Sequence, residues 1–392
     1  MSVPTRIIFV DDEVNILTSL RRLLRRMRSE WDMAFVEGPE EAIAEMSKAP
    51  FDVVVSDMRM PGMSGAELLE ITRRENPGVV RIILSGYATQ EALLRAVGPA
   101  HNFLSKPCDR ETLVENIHRS LAVRQRLESP AIRDLILKVD SLPSLPSAYE
   151  QLTAAVAAGE SDVEVMGRIV RKDIGISTKL LQFVNSSYFG LAESLSDPLE
   201  AVRFLGLGTV KGLVASNKLF SQAESSAVGA LHQTAYQTAA IVRDLASSVP
   251  GVPEDQACLA ALTHEAGRLL LAESYPDAYR EVVTESENSG RGLSDVEREA
   301  FGLTHTEIAG RLLEIWGIPD PVVEAVTFWQ TPSESGAQTV TPLALLHTAK
   351  ALQAEAQGAS FLPDCEYLDR VGLAGRLASW KREFLPRLGH AA

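Results

Sequence analysis

The sequence predicts an α/β domain with a parallel sheet, followed by an all-α domain. In the first third of the 392-residue chain, short runs of apolar β-forming residues alternate with amphipathic segments, and each run ends close to a polar side chain. Continuous apolar runs of this kind are typical of strands that are buried on both faces, as in parallel sheets. From Leu142 onward such runs disappear, and amphipathic helical segments follow one another between glycine, proline and aspartate residues.

The predicted α/β domain contains five strands. The first ends at Val10, the second lies near Met33 to Glu37, the third ends at Asp57, the fourth at Ser85 and the fifth at Ser105. A helix is predicted after each strand, and the last one starts near Arg110 and continues to about Leu127. Strands that alternate with helices in this way form a parallel sheet that is covered by helices.

The third predicted strand carries a carboxylate to the edge of the sheet. From Phe51 onward, apolar β-forming residues lead directly to Asp57, and a Pro-Gly turn follows. Open α/β sheets bind their ligands at the carboxyl ends of the strands, where the first strand also ends in Asp11 and Asp12. Three converging carboxylates repel one another, so we expect a cation among them, and oxygen ligands suit Mg²⁺.

The fourth and fifth predicted strands end in a hydroxyl group and an ammonium group. Ser85 ends the fourth strand, and Lys106 follows the fifth, immediately before Pro107. Phosphoryl transfer needs an in-line nucleophile and positive charge on the equatorial oxygens of the phosphoryl group. A carboxylate, Mg²⁺ and a lysine are therefore sufficient, and no separate general base is required.

These residues, each at its own strand end, resemble those of a two-component receiver domain, the flavodoxin-like module that accepts a phosphoryl group from a histidine kinase. The resemblance covers residues from about 5 to about 123. It implies the following roles: Asp57 is the phosphoacceptor, Asp11, Asp12, Asp57 and the backbone carbonyl of Met58 hold Mg²⁺, Ser85 and Lys106 contact the phosphoryl oxygens, and Tyr87 is the aromatic switch residue. It also implies a cis peptide bond before Pro107.

Charge and cysteine content limit the classes of partner. The net charge of −14 argues against a general nucleic-acid surface, which needs a basic face. The arginines between Arg21 and Arg28 alternate with an apolar stripe at helical spacing, and we therefore interpret them as the solvated face of a helix. Three scattered cysteines, the lack of an apolar signal segment and the lack of a long apolar span predict a cytoplasmic protein without a membrane anchor.

The second part of the chain resembles the HDOD family, the HD-related output domain. The motifs that carry this resemblance are the Leu-Pro-Ser repeat that starts at Leu142, the stretch from Ile169 to Gly190, which contains Asn185 and Ser186, and the stretch from Pro198 to Gly208. The family is an all-helical relative of the metal-dependent HD phosphohydrolases and usually lacks their complete set of metal ligands. The resemblance spans roughly residues 140 to 350.

A few residues decide whether this domain is expected to be an enzyme. His264 and Glu265 fall where the HD phosphohydrolases carry their His-Asp pair, and His305 matches a histidine that serves as a ligand in some relatives. In the helix expected to supply the first histidine, Thr234 takes the ligand position and His232 lies two residues away. A hydrolytic metal site needs three or four ligands and an open position for water. We therefore predict a degenerate site, assign no metal to this domain and favour a structural polar cluster, with metal binding without catalysis left open.

The predicted organisation has four parts. They are a receiver domain at residues 1–123, a helical linker at 124–140, an HDOD output domain at 141–350 and a helical tail at 351–392 that packs on or next to the HDOD domain. In the tail, an apolar stripe that includes Leu368 and Leu377 is expected to cover the core of the HDOD domain.

The sequence thus predicts a bacterial two-component response regulator. We expect a sensor histidine kinase to phosphorylate Asp57, and a non-catalytic HDOD domain to signal by binding other proteins, with a homodimer through the receiver as one option. Two alternatives stay open at this point. One is a metal-dependent phosphodiesterase that acts on a cyclic dinucleotide such as c-di-GMP through His264, Glu265 and His305. The other is a DNA-binding regulator, which the acidic net charge disfavours.

Overall fold

The structure is a computed structural model, and it describes residues 4–86, 98–127, 129–159, 162–215, 226–359 and 361–388. Two structural parts follow one another along the chain. The first is built around a sheet, and the elements that come after the last strand of that sheet are helices.

The sheet has five strands, all parallel. They are β1 (Thr5–Val10), β2 (Trp31–Val36), β3 (Val53–Ser56), β4 (Val80–Ser85) and β5 (Asn102–Ser105), in the order β2-β1-β3-β4-β5. The central strands β3 and β4 are buried throughout, as their continuous apolar runs predict. The predicted fold class, a flavodoxin-like parallel sheet followed by an all-α part, is confirmed.

Helices flank the sheet. Among the residues that the structure describes, they are α1 (Val14–Leu23), α2 (Pro39–Lys48), α3 (Gly65–Glu75) and α4 (Arg110–Arg126), and a short 3₁₀ helix spans Arg25–Ser29. A capping box starts α3, because the Ser64 hydroxyl accepts a hydrogen bond from the Glu67 amide and the Glu67 carboxylate accepts one from the Ser64 amide. This cap ends the loop after Asp57 at a fixed place. Leu17, Leu20, Leu24 and Met27 form the predicted buried stripe, although the α-helix already ends at Leu23 and the 3₁₀ helix continues the stripe.

The second part is a continuous series of helices. They are α5 (Pro130–Lys138), α6 (Pro146–Ala157), α7 (Val163–Val170), α8 (Ile174–Val184), α9 (Pro198–Ala215), α10 (Ser226–Ser248), α11 (Glu254–Thr263), α12 (Ala266–Ser274), α13 (Pro276–Ser289), α14 (Leu293–Phe301), α15 (His305–Ile315), α16 (Asp320–Phe328), α17 (Pro342–Ala356), α18 (Cys365–Arg370) and α19 (Ala374–Leu388), with a 3₁₀ turn at Pro332–Ser335. Helix α9 is kinked at Gly206, where the backbone has φ 74°. Every residue of α8 is buried.

The last helix packs against the middle of this series. Trp380 and Phe384 are buried, the Trp380 indole donates a hydrogen bond to the Ser248 hydroxyl, and Arg387 pairs with Asp244. Helix α17 runs without interruption through the predicted boundary at residues 350 and 351. Helix α19 therefore packs against α10 and α17.

The two parts contact each other directly. The backbone amide of Tyr188 donates a hydrogen bond to the carbonyl of Phe103 in β5, and the rings of Phe103 and Phe183 meet edge to face at 5.8 Å. At the surface, Arg119 of α4 pairs with Asp320 at 2.6 Å. Strand β5 and helix α4 are thus the face of the sheet domain on which the helical part docks.

Candidate functional site

The predicted receiver residues meet at the carboxyl edge of the sheet. Asp11 directly follows β1, Asp57 directly follows β3, and Lys106 directly follows β5. The Lys106 ammonium donates a hydrogen bond to Asp11 Oδ2 at 2.5 Å and a second one to Asp57 Oδ1. The structure therefore brings the central aspartate and the lysine together on the same side of the sheet.

The backbone around Asp57 fixes the position of its carboxylate. The Asp57 amide donates a hydrogen bond to the Val10 carbonyl at 2.8 Å, and its Oδ2 accepts one from the Arg59 amide at 2.6 Å. Helix α3 begins very close to this loop, because a Cβ atom at Gly65 would lie 1.9 Å from the Asp57 carbonyl oxygen. Only glycine fits there. The Gly65 amide donates to the Met58 carbonyl, which keeps one lone pair for a cation.

The strand ends of β4 and β5 are joined at the same edge. Ser85 is buried, and its carbonyl accepts a hydrogen bond from the Lys106 amide at 2.9 Å. The peptide bond between Lys106 and Pro107 is cis. Tyr87, the expected switch residue, lies outside the residues that the structure describes. A backbone hydrogen bond thus links Ser85 and Lys106 at the edge of the sheet that also carries Asp57.

The electrostatics of this edge suit a divalent cation. Asp11 and Asp57 contact the ammonium of Lys106, and the exposed Asp12 is next to Asp11 in the chain, so that three carboxylates and one ammonium give a formal local charge of −2. Burial raises the pKa of Asp11, and the hydrogen bond from Lys106 opposes that rise. For Lys106, burial favours the neutral form, but the hydrogen bonds to Asp11 and Asp57 raise its pKa above the ordinary value. A dication held by oxygen ligands would neutralise the remaining charge.

The predicted second set of residues does not form one site. His264 and Glu265 lie together, with Nε2 and Oε1 3.1 Å apart, and both are buried. His305 pairs instead with Glu297, whose Oε2 accepts hydrogen bonds from both Nδ1 and the backbone amide of His305. The indole ring of Trp329 contacts both imidazoles, with ring centroids 5.7 Å from His264 and 6.5 Å from His305.

His232, on the helix expected to supply the first metal ligand, contacts residues other than His264 and Glu265. His232 Nε2 donates a hydrogen bond to the Pro143 carbonyl at 3.0 Å, and its Nδ1 lies 3.9 Å from Asp173. The Thr234 carbonyl accepts a hydrogen bond from the Thr238 hydroxyl within α10. Within the described ranges, no group of three or more histidine, cysteine, aspartate or glutamate side chains is arranged to hold a metal ion. Of the helices that are described, none has the length and apolar character that crossing a membrane requires.

Comparisons with known proteins agree with this geometry. Residues 7–118 match the family model of the response regulator receiver domain, and residues 142–332 match that of the HDOD domain. The chain combines a receiver domain with an HDOD domain. Together the two domains support a two-component response regulator, a receiver domain in general implies a histidine kinase as partner, and receiver domains generally bind Mg²⁺.

Individual relatives are distant. The hydrogenase transcriptional regulatory protein HoxA of Cupriavidus necator is 28% identical over 187 residues, which are 43% of this chain and 38% of HoxA. An uncharacterized protein of Treponema pallidum is 24% identical over 295 residues, 72% of this chain and 54% of that protein. The chain thus spans about half or less of the length of these relatives.

Among solved structures, the MmoQ response regulator of Methylococcus capsulatus is 21% identical, with a TM-score of 0.49, and the similarity covers 62% of this chain and 98% of that one. The receiver domain of an HD domain-containing protein from Pseudomonas fluorescens is 25% identical, with a TM-score of 0.30, and covers 32% of this chain and 99% of that one.

Three side chains of the HDOD domain were not anticipated from the sequence. Lys350 and Arg268 both contact the Glu265 carboxylate, at 3.5 and 3.4 Å. Tyr279 donates a hydrogen bond to Glu297 at 3.0 Å. A signal was present for two of them, because Arg268 lies one helical turn after Glu265, and Lys350 is the only cation in the mostly apolar helix α17.

Proposed function

We propose that a sensor histidine kinase phosphorylates this response regulator on Asp57, and that the HDOD domain, without catalysis of its own, transmits the change by binding other proteins. The observation that carries the proposal is the ammonium of Lys106, which reaches both Asp11 and Asp57 at the open edge of the receiver sheet. The corresponding carboxylates of the HDOD domain are buried and already paired.

The ligands for Mg²⁺ in this proposal are the carboxylates of Asp11, Asp12 and Asp57 and the carbonyl of Met58. When bound, Mg²⁺ would supply positive charge to the phosphoryl oxygens during transfer. Asp57 Oδ1 is the nucleophile, and the hydrogen bond from the Arg59 amide to Oδ2 keeps the carboxylate oriented. Lys106 is placed to exchange its contact with the carboxylate for one with a phosphoryl oxygen, and the Ser85 hydroxyl is expected to contact a second oxygen.

Strand β5 is the route by which the HDOD domain would sense this exchange. Phe103 lies in β5, three residues before Lys106, which directly follows the strand, and the Phe103 carbonyl accepts the hydrogen bond from the Tyr188 amide. Two residues before Phe103, the His101 carbonyl accepts a hydrogen bond from the side-chain amide of Gln182 at 3.2 Å. A shift of Lys106 and Ser85 toward a phosphoryl group would therefore strain backbone contacts between the domains.

The surface contacts between the domains are weak enough to be reversible. Arg119 and Asp320 are 42% and 86% exposed, and the pair of Arg126 with Glu314 is longer, at 3.4 Å. Exposed ion pairs of this kind contribute little, typically below ~1 kcal/mol each. A receiver homodimer that used α4 and β5 would have to displace the HDOD domain, so dimerisation and domain release are coupled in this proposal.

Phosphorylation can be tested with acetyl phosphate and Mg²⁺ and detected as a mobility shift on Phos-tag gels. The full chain is expected to be labelled, and the Asp57→Asn variant is expected to lose all labelling because the nucleophile is gone. The control is Asp52→Asn, which removes a carboxylate that pairs with Arg124 on the same domain, away from the site. Labelling that persists in Asp57→Asn would disprove the assignment.

The output can be tested by comparing partners of the unphosphorylated and acetyl phosphate-treated chain in pull-down experiments with the host's proteins. Treatment is expected to change the amount of at least one bound protein, and the change should vanish in Asp57→Asn. Identical partner sets and affinities in both states would count against phospho-control. A complete switch needs roughly 5.5 kcal/mol of differential binding, so we expect a partial shift.

A further inference from the structure

The HDOD domain contains a buried polar network around Trp329. Its members lie on helices α11, α12, α13, α14, α15 and α17 or at their ends, and they are His264, Glu265, Arg268, Tyr279, Glu297, His305 and Lys350. The contacts are continuous: Arg268 donates to the Tyr279 hydroxyl at 3.2 Å, and Tyr279 donates to Glu297 at 3.0 Å. Helices far apart in the sequence thus meet on this network rather than on apolar side chains alone.

Glu265 is the centre of one half of the network. Its Oε1 lies 3.1 Å from His264 Nε2 and 3.5 Å from the ammonium of Lys350, and its Oε2 lies 3.4 Å from the Arg268 guanidinium. The Lys350 ammonium also sits 5.1 Å from the centre of the Trp329 ring, at cation–π distance. The carboxylate therefore has two cations within ion-pair distance, although its side chain is only 3% exposed.

His264 presents the atom that a metal would use. Its Nδ1 donates a hydrogen bond to the Ala261 carbonyl at 2.6 Å, so that the neutral imidazole carries its lone pair on Nε2. Nε2 is buried and makes no hydrogen bond. In zinc and manganese proteins, a backbone carbonyl commonly fixes the ligating tautomer of histidine in this way. A His-Glu pair with the correct tautomer is present, and it has an ammonium beside it.

The charge count explains why a metal does not fit. Glu265 and Glu297 contribute two negative charges, and Lys350 and Arg268 contribute two positive charges, so the network is neutral with neutral histidines. A divalent ion would leave this buried network with an excess charge of +2. Isolated charge in a protein interior is very costly. The two available ligands, His264 and Glu265, also fall short of the three that a catalytic site requires.

We propose that Lys350 is a built-in cation that takes the place of a divalent metal beside His264 and Glu265. The lysine neutralises the charge of Glu265, contacts the face of the Trp329 ring and excludes a metal ion. His264 and Glu265, the pair at the HD position, are retained. The inference stands whether or not Asp57 accepts a phosphoryl group, and it makes a direct prediction: inverting the charge of this one side chain should create a metal site.

The Lys350→Glu variant tests this prediction by gain of binding. With a carboxylate at that position the network has three negative charges and one positive charge, a net −2, which matches the count at the receiver site. We expect the purified full chain carrying Lys350→Glu to bind about one Co²⁺ with visible absorption that indicates an imidazole ligand, and we expect the unmodified chain to lack this signal. All measurements use the Asp57→Asn background, so that the receiver contributes equally to every variant.

Two controls accompany the gain of binding. Lys381→Glu makes the same charge change at an exposed ion pair with Glu355, and it should give no Co²⁺ signal. Adding His264→Gln to Lys350→Glu should abolish the signal. A His264-dependent Co²⁺ signal of similar strength in the chain that keeps Lys350 would overturn the proposal, as would a Lys350→Glu variant that folds but binds no metal.

A double-mutant cycle measured by thermal unfolding tests the proposal if Lys350→Glu does not fold. Lys350→Met and Glu265→Gln each break a buried ion pair, and each is expected to lower Tm by roughly 5 °C or more. Because the two changes remove matching charges, the double variant should recover at least half of the summed loss. In the Asp57→Asn background, chelation by EDTA should leave the Tm of the chain that keeps Lys350 unchanged. Additive losses in the cycle, or a Tm that falls on chelation in the Asp57→Asn background, would refute the role assigned to Lys350.

Discussion

The receiver site and the HDOD network both contain a lysine whose ammonium contacts carboxylates, yet they are built for different ends. At the receiver edge, Lys106 faces Asp11 and Asp57 with Asp12 nearby, and the local charge is −2. In the HDOD network, Lys350 and Arg268 balance two glutamates, and the local charge is zero. The first arrangement leaves a charge for a divalent ion to complete, and the second leaves none.

The two sites also differ in how far their central side chains are exposed to solvent. The side chains of Lys106 and Asp57 are 16% and 11% exposed, whereas those of His264 and Glu265 are 0% and 3% exposed. The Asp57 carboxylate is thus more open to solvent than the His264–Glu265 pair, whereas Arg268 and Lys350 at the rim of the network are 28% and 15% exposed. Ligand types alone therefore do not define a metal site, because the surplus of charge and the exposure of the ligands also decide whether an ion can bind.

The pKa shifts follow from this difference. Burial opposes a charged lysine at both places, but the two aspartates raise the pKa of Lys106 above its ordinary value. For Lys350, burial dominates, and its pKa is lowered despite the contact with Glu265. The pKa of Glu265 is held well below its ordinary value, because the neighbouring cations Arg268 and Lys350 outweigh the cost of burial. Glu265 is thus ionised over the whole physiological range, as a permanent ion pair requires.

The largest expected difference between the two lysines is in phosphorylation. Lys106→Met should reduce labelling by acetyl phosphate by at least roughly 10-fold, because the ammonium that contacts the phosphoryl oxygens is lost. Lys350→Met should leave the labelling rate unchanged within a factor of about two, since it lies in the other domain and meets no residue of the site. Quantitative Phos-tag gels measure both. Equal effects of the two substitutions would show that the sites are not functionally separate.

Removing one carboxylate charge should have opposite effects at the two sites. Glu297 is fully buried and accepts hydrogen bonds from Tyr279 and from two groups of His305. Glu297→Gln should therefore destabilise the chain by roughly 3 kcal/mol. Asp12→Asn should instead stabilise it slightly when Mg²⁺ is absent, because it lowers the repulsion among the carboxylates. Urea unfolding of both variants without Mg²⁺ tests the sign, and a loss of stability in Asp12→Asn would contradict the charge count at the receiver edge.

The location of the candidate receiver site was predictable because each of its residues lies at the end of a strand that the sequence itself indicates. Each of Asp11, Asp57, Ser85 and Lys106 ends a short apolar run, and parallel strands bring such ends to one edge whatever the lengths of the connections. The strand positions therefore indicated the fold class, and their polar ends indicated the candidate site residues, whose roles stay predictions. Tyr87 stays a prediction, because it lies outside the described residues.

The HDOD network was not predictable in the same way. Amphipathic periodicity tells which face of a helix is buried but not which other helix it meets. Lys350 follows Glu265 by more than 80 residues, and only the packing of α12 against α15 and of α11 against α17 brings the members together. The pair of His264 with Glu265 was recognised from its position, but its neutralising partner was not. A single cation in an apolar helix is the sequence signal that deserves more weight in such domains.

A third buried lysine extends the comparison to a site without a carboxylate. Lys179 of α8 lies at the contact between the domains, where its ammonium donates hydrogen bonds to the Asp140 carbonyl and to the amide oxygen of Gln182. Burial lowers its pKa to about 8, and the more distant Asp140 carboxylate only partly opposes this shift. Lys106, which contacts two carboxylates, thus has a raised pKa, whereas the pKa values of Lys350 and Lys179 are both lowered by burial.

The pKa of Lys179 gives the last prediction, a pH dependence of stability. Because Lys179 binds its proton more weakly in the folded chain (pKa about 8) than in the unfolded chain (10.5), the folded state is penalised at low pH and relieved as the pH rises. From these values the penalty falls by about 2 kcal/mol between pH 8 and pH 10. Lys179→Met should remove this part of the pH dependence. The test is the difference in unfolding free energy between the unmodified chain and Lys179→Met at each pH, which cancels the cysteine and tyrosine titrations common to both. A difference that stays constant from pH 8 to pH 10 would mean that the ammonium keeps its ordinary pKa at the domain contact, and that neutral oxygens can hold a buried lysine as well as carboxylates do.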